Sequence, residues 1–191
     1  WVEASSRWRE RKGKLPKGRG LGLACSHFVS GAGKPVQWTG EPDATVNIKL
    51  DFDGNITVFT GATEIGQGSS TVVAQVVAEV LGLDYARICV LAKDSAVTPK
   101  DNGSYSSRVT YMVGNATLAA AEKLRQRLLA AAARKLGAEP GQVECLGEES
   151  RLAGSGKPGV AYIDVVKEAL VGHGTITEHG IFMVPRNFQG G

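Results

Sequence analysis

The stretch "ATVNIKLDFDGNITVFTGATEIGQG", residues 44–68, constrains the fold more than any other. Val46, Ile48 and Leu50 alternate with polar residues, the period-2 pattern of a strand with one buried face. Asp53-Gly54 supplies a tight turn, and Ile56 and Val58 resume the alternation, so the segment reads as a β-hairpin. A helix follows at once over Ser69 to Leu81. Val72, Val73, Val76, Val77 and Val80 supply its apolar stripe, and Ser69 or Ser70 serves as its natural N-cap. Strand, glycine-rich turn and helix are therefore joined without a spacer.

The remaining segments are consistent with an α+β domain of hairpins packed with two main helices. Residues 1–13 carry a weak helical pattern, and Lys14 to Gly20 forms a Gly/Pro/Lys linker. "GLGLACSHF" (Gly20 to Phe28) and "RICVLAKD" (Arg87 to Asp94) read as strands, and Thr98 to Val109 as a polar loop. Gly114 to Gly137 is the longest predicted helix, with Leu118, Ala121, Leu124, Leu128, Leu129 and Leu136 facing inward and Gly137 as C-cap. Val143 to Pro185 alternates short strands with a helix near Ile163 to Leu170. No strict βαβ alternation or internal repeat is visible. The chain divides into a helix end and basic linker over 1–19 and a domain over 20–191. Trp1 in place of Met and the terminal Gly190-Gly191 read as the ends of a piece excised from something larger.

Composition excludes several classes. The net charge of +3 is too small to argue for a nucleic-acid binder. The basic run from Arg7 to Arg19 is interrupted by Glu10 and reads as a solvated helix end and loop, with an RNA or DNA patch as the alternative. Cys25, Cys89 and Cys145 are odd in number and lack any CxxC pair. They predict reduced, mostly buried thiols in a cytoplasmic protein and argue against a zinc or iron–sulfur site built from this chain alone. No apolar run approaches the roughly 18 residues of a membrane span, and no signal peptide opens the chain.

The glycine-rich turns carry the chemistry. Gly61 and Gly66 fit the start of a P-loop, but Gln67 and Gly68 stand where Lys and Ser/Thr must be, so NTP hydrolysis is not expected. "GAGKPV" (Gly31 to Val36) and "GSGKPG" (Gly154 to Gly159) place Pro after Lys, removing a donor, and read as hairpin turns. Gly18, Gly20 and Gly22 precede a strand, the reverse of a dinucleotide-binding turn. At the first turn the backbone N–H groups of Gly66, Gln67 and Gly68 converge, and the helix beginning near Ser69 adds its positive dipole end. This arrangement suits an anion or oxo group. The Gln67 amide suits a heterocycle edge or a metal-oxo atom, and the alternative is a plain turn ahead of a core helix. "KDNGSYSSRVT" (Lys100 to Thr110) repeats the arrangement, with Ser104, Tyr105, Ser106 and Ser107 before a helix and Arg108 as a cationic contact. Two such helix starts are suited to gripping two parts of one large anionic cofactor. Glu64 fits a capping role as well as a proton carrier. His27, His173 and His179 lack metal-ligand spacing, and no Ser-His-acid set can be assembled.

These residues carry a resemblance. "GATEIGQGSSTVVAQVVAEVLGL" resembles the G-x-x-E-x-G-Q-G turn and helix of the molybdenum-binding subunits of the xanthine dehydrogenase/aldehyde oxidase family, and "DNGSYSSRVTYMVGNA" resembles that family's second cofactor loop. The two motifs occur in the right order, about forty residues apart, and "KGRGLGLA" and the Ala-rich helix also fit. Within the family, "PKDNGSYSSRVT" is most similar to the large subunits of 4-hydroxybenzoyl-CoA reductases. The resemblance implies a molybdopterin-binding α+β domain and, as cofactor, molybdopterin cytosine dinucleotide with molybdenum. It implies contacts to that cofactor from Gly66, Gln67, Gly68 and Ser69, and from Ser104, Tyr105, Ser106, Ser107 and Arg108 around the pterin and phosphates. It further implies an iron–sulfur subunit and an FAD subunit as partners, and an aromatic or acyl-CoA substrate. The family's G-x-G-E motif with its general-base glutamate and its Phe-Gly-Gly turn are absent, so no catalytic residue is expected here and the segment is expected to be inactive alone.

Overall fold

The hairpin forms where the alternation places it. In the computed structural model, which describes residues 1–27, 40–92 and 94–185, β1 (Ala44–Leu50) pairs antiparallel with β2 (Ile56–Thr60), with Ile48 opposite Val58. Every second residue of both strands is buried. Val46, Ile48, Leu50, Ile56 and Val58 face the core, each contributing roughly 1.5–3 kcal/mol by leaving water. Two short exposed helices, α1 (Val2–Ser6) and α2 (Trp8–Arg11), precede the hairpin and bury no residue. Residues 20–27 form no strand, contrary to expectation. They run exposed, with Leu23 66% accessible, and a strand without a partner edge gains neither ladder bonds nor burial. The "GAGKPV" turn lies outside the described residues.

α3 (Ser69–Leu81) follows β2, and β3 (Ile88–Leu91) then lies beside β2 in parallel, with Val90 opposite Val58. β2, α3 and β3 thus form one βαβ unit inside a fold without strict alternation. The sequence concealed it because β3 is only four residues long and gives no period of its own. β7 (Ile176–Phe182) pairs antiparallel with the other side of β1, completing a sheet in the order β3-β2-β1-β7.

α4 (Val109–Leu136) crosses this sheet and packs against β1, β7 and α3. It begins five residues before the expected Gly114, because Val109, Met112, Val113 and Ala116 already bury one helical face. Ala121, Leu124, Leu128 and Leu129 are buried as expected, whereas Leu118 is 46% exposed. The alanines serve close approach: a Cβ on Gly180 of β7 would sit 2.0 Å from the Ala116 carbonyl oxygen, so only glycine lets helix and strand meet there. At the outer edge of β7, the Lys123 ammonium of α4 donates to the His179 carbonyl at 2.7 Å.

A second sheet, β4 (Val143–Leu146), β5 (Glu149–Leu152) and β6 (Val160–Ala161), is antiparallel, and "GSGKPG" links β5 to β6 as the expected hairpin connection. α5 (Tyr162–Leu170) packs on α4. Its Tyr162 hydroxyl donates to the Gly54 carbonyl at 3.0 Å, tying the second unit to the first hairpin. Cys25 and Cys89 are exposed free thiols, which corrects the expectation of mostly buried cysteines. Among the described residues, no helix is long and apolar enough to cross a membrane.

Candidate functional site

The chain leaves β2 at Thr60 and passes so close to residues 99–101 that a Cβ on Gly61 would lie 2.3 Å from the Pro99 carbonyl oxygen. The turn that follows is closed from within. Glu64 accepts hydrogen bonds from the backbone N–H groups of Gly66 (2.8 Å), Gly68 (2.9 Å) and Ser70 (3.2 Å), and from the Ser69 hydroxyl (3.2 Å). Convergence of N–H groups at this turn was expected; the anion on which Gly66 and Gly68 converge is the protein's own carboxylate. Bonding from Gly68 and Ser70, with Gly66 and Ser69 adding to it, holds that carboxylate down at a pKa of about 2, from an ordinary 4.5. Gly68, at φ 80°, occupies the N-cap position instead of Ser69 or Ser70, and Glu64 performs the capping. The stripe of α3 is also rotated: Val73, Ala74, Val77 and Leu81 are buried, while Val72, Val76 and Val80 line an open groove against α4.

Gln67 is exposed and braced by its own turn. Its Oε1 accepts from the Ile65 N–H at 2.6 Å, and its Nε2 donates to the Thr63 carbonyl at 2.9 Å and the Ser69 hydroxyl at 3.2 Å. The Thr63 carbonyl also accepts from the Ser104 hydroxyl at 2.7 Å. That bond joins the two predicted loops, which lie far apart in sequence and meet in space.

The second loop starts with Asp101, which accepts from the Gly103 N–H at 2.7 Å. Ser106 and Ser107 both stand in the left-handed region, at φ 50° and 53°, which residues with a Cβ rarely adopt. Arg108 departs from expectation. Its guanidinium is turned inward and 1% exposed, bonded to both oxygens of Asp101 (3.0 and 3.2 Å), the Gly103 carbonyl (3.0 Å), the Asp43 carbonyl and the Met112 sulfur (3.1 Å). A cation with most of its donors engaged by buried partners has little left to offer a phosphate. Sequence reasoning missed Asp101 and Asp43; the D-x-G spacing before a helix signalled Asp101, and nothing local signalled Asp43.

Between the loops lies a cavity of about 560 Å³, with Ile65 and Gln67 on one side and residues 104–110 on the other. The larger groove between α3 and α4, about 1070 Å³, contains none of the predicted cofactor residues. Hydroxyls, an amide, a phenol and the Arg108 side chain, whose charge is paired with Asp101, line the cavity, an array of donors and acceptors suited to the polar edge of a large organic group. Among the described residues, no group of three His, Cys, Asp or Glu is placed to hold a metal ion.

Fold and cavity together define an α+β domain with a polar cavity between two loop-to-helix junctions. The chain belongs to the molybdopterin cofactor-binding domain family, whose model matches residues 1–191. It is 37% identical over 134 residues to the xanthine dehydrogenase molybdenum-binding subunit of Escherichia coli O157:H7, covering 70% of this chain and 17% of that one. It is 36% identical over 125 residues to the nicotine 6-hydroxylase large subunit of Paenarthrobacter nicotinovorans, covering 62% of this chain and 15% of that one. The fold matches quinoline 2-oxidoreductase from Pseudomonas putida 86 with a TM-score of 0.64 and 23% identity, over 73% of this chain and 19% of that one. The chain therefore spans about a sixth of the length of its curated relatives. The donor-rich lining, with the Arg108 charge paired to Asp101, fits a pterin, whose ring edge presents both donors and acceptors.

Proposed function

We propose that this chain forms part of the molybdopterin site of a molybdenum-dependent oxidoreductase. The observation that carries the reading is the cavity shared by Gln67 and the Ser104 to Ser107 loop. Gly66, Gln67, Gly68 and Ser69 would form one wall around the cofactor, and Ser104, Tyr105, Ser106 and Ser107 the other. Gln67 would offer its amide to the ring edge, while the serine hydroxyls would adjust as donors or acceptors to the pterin and its phosphate-bearing tail. When bound, the cofactor would supply the redox centre; the protein would orient it and exclude water from one side.

We further propose that the cofactor is the cytosine dinucleotide form, and that iron–sulfur and FAD subunits assemble with this one in the cytoplasm. On the run "PKDNGSYSSRVT" we assign the reaction to aromatic dehydroxylation of the 4-hydroxybenzoyl-CoA reductase type, with an aromatic acyl-CoA substrate. A second reading has its own support. Relatives named for xanthine and nicotine, at 37% and 36% identity, favour hydroxylation of a heterocycle. Substrate profiling of the intact complex separates the two. The 191-residue segment, lacking a G-x-G-E motif, should be inactive alone.

Gln67→Ala in the complete enzyme tests the site. Losing the three local hydrogen bonds of this exposed side chain should cost about 1 kcal/mol, too little to unfold the protein. Molybdenum and pterin content should nevertheless fall together. Full cofactor loading in that variant would make Gln67 a turn residue only, and a wild-type complex without molybdenum and pterin would sink the functional reading.

A further inference from the structure

We propose that the buried Arg108–Asp101 pair is a positioning device that fixes the two walls of the cavity relative to each other and holds Ser106 and Ser107 in the conformation that lines it. The ligand of that cavity rests on the molybdopterin reading given above; the positioning itself rests on geometry.

Asp101 is placed by the first wall, because Gly61 packs against Pro99 and Asp101 with no room for a side chain. Arg108 is placed by Asp101 and by three elements beyond it. One guanidinium nitrogen serves Asp101 and the Gly103 carbonyl, another reaches the Asp43 carbonyl just before β1, and Nε meets the Met112 sulfur one turn along α4. Asp43 in turn accepts from the Val184 N–H at 2.8 Å, beyond the end of β7. One side chain thus connects the second loop to the rim of the sheet.

Stability alone does not require ions here. A buried ion pair is often replaceable by apolar residues of similar volume without loss, because desolvation offsets the attraction. What apolar residues cannot supply is the fork of donors that fixes the Gly103 and Asp43 carbonyls in direction as well as distance. Ser106 and Ser107 immediately precede Arg108 and adopt backbone angles that persist only where the surroundings over-determine them. The pair furnishes that constraint, and the cavity depends on it.

The test compares single and double variants in the complete enzyme. Asp101→Asn and Arg108→Met each leave a buried partner unsatisfied and should lower the melting temperature. The double variant Arg108→Met/Asp101→Leu should regain it. Its molybdenum and pterin content should still fall roughly ten-fold, the loss typical when a group supporting a cofactor ligand is removed. Amide exchange across residues 103–107 of the cofactor-free protein should accelerate in the same variant. Wild-type loading together with wild-type exchange in a stable double variant would overturn the proposal. Should the double variant not fold, Arg108→Lys keeps the charge without the planar fork; it should lose cofactor and loop protection, and retention of both would overturn the proposal equally. A wild-type enzyme without molybdenum and pterin removes the functional reading, while the exchange measurement still decides the positioning role.

Discussion

Glu64 shows what a single residue can settle. Its carboxylate takes the donors that the sequence alone would assign to a ligand, and it needs only the turn's own geometry to do so. A pKa lowered from 4.5 to about 2 means the folded state binds the proton less readily than the unfolded chain. The cap's contribution is therefore fully present above about pH 4.5 and lost as pH falls toward 2. In Glu64→Gln, denaturation curves recorded across that range should lack this component of the acid sensitivity, and an unchanged pH profile would deny Glu64 its capping role. The acid was visible in the sequence and so was capping as one use for it. Its specific bonds were not, because they depend on the left-handed turn at Gly66 and Gly68. Arg108 was harder still: whether a cation faces a ligand or a buried aspartate is decided by Asp43 and Asp101, one of them 65 residues away.

At the scale of elements, strong periodicity was reliable and close packing was not. The β1–β2 hairpin stands where the alternating pattern puts it, since that pattern reports the face each strand buries, and α3 has the expected bounds although its buried face is rotated from the expected stripe. The parallel placement of β3 and the early start of α4 depend on what those elements pack against, which no local window contains. Leu118 was expected inward for the same reason, but it faces the open groove against α3, while Ala116 and Ala120 form the face that meets β7. Gly180→Ala should accordingly force α4 away from β7. Overpacking of this kind costs roughly 1–3 kcal/mol, and the added Cβ meets rigid backbone at 2.0 Å, so the upper part of that range is expected in chemical denaturation. A variant as stable as the parent would show that α4 and β7 have slack to separate.

Across the whole molecule, we propose that residues 1–19 stand apart from the domain that follows. α1 and α2 bury no residue, and their charged side chains pair locally, Arg7 with Glu10 and Arg9 with Glu3. Removing residues 1–19 should change stability by no more than about 0.5 kcal/mol, the range for surface changes away from packed features. A marked drop in melting temperature would place that segment within the domain. The second sheet, by contrast, is fastened to the first unit through the Tyr162 hydroxyl and a bidentate bond from Arg87 to Glu148 at 2.8 Å, which raises the guanidinium's pKa further.

Among the described residues no strand pairs with the outer edge of β7, which has a consequence for how these molecules behave toward one another. An open strand edge is a template on which any extended chain can add itself, the first step of most sheet-mediated aggregation. Here an ammonium already sits on the His179 carbonyl. A newcomer must strip that charge away before it can pair at the middle of the strand, so one lysine of the neighbouring helix serves as the edge's gatekeeper against self-association.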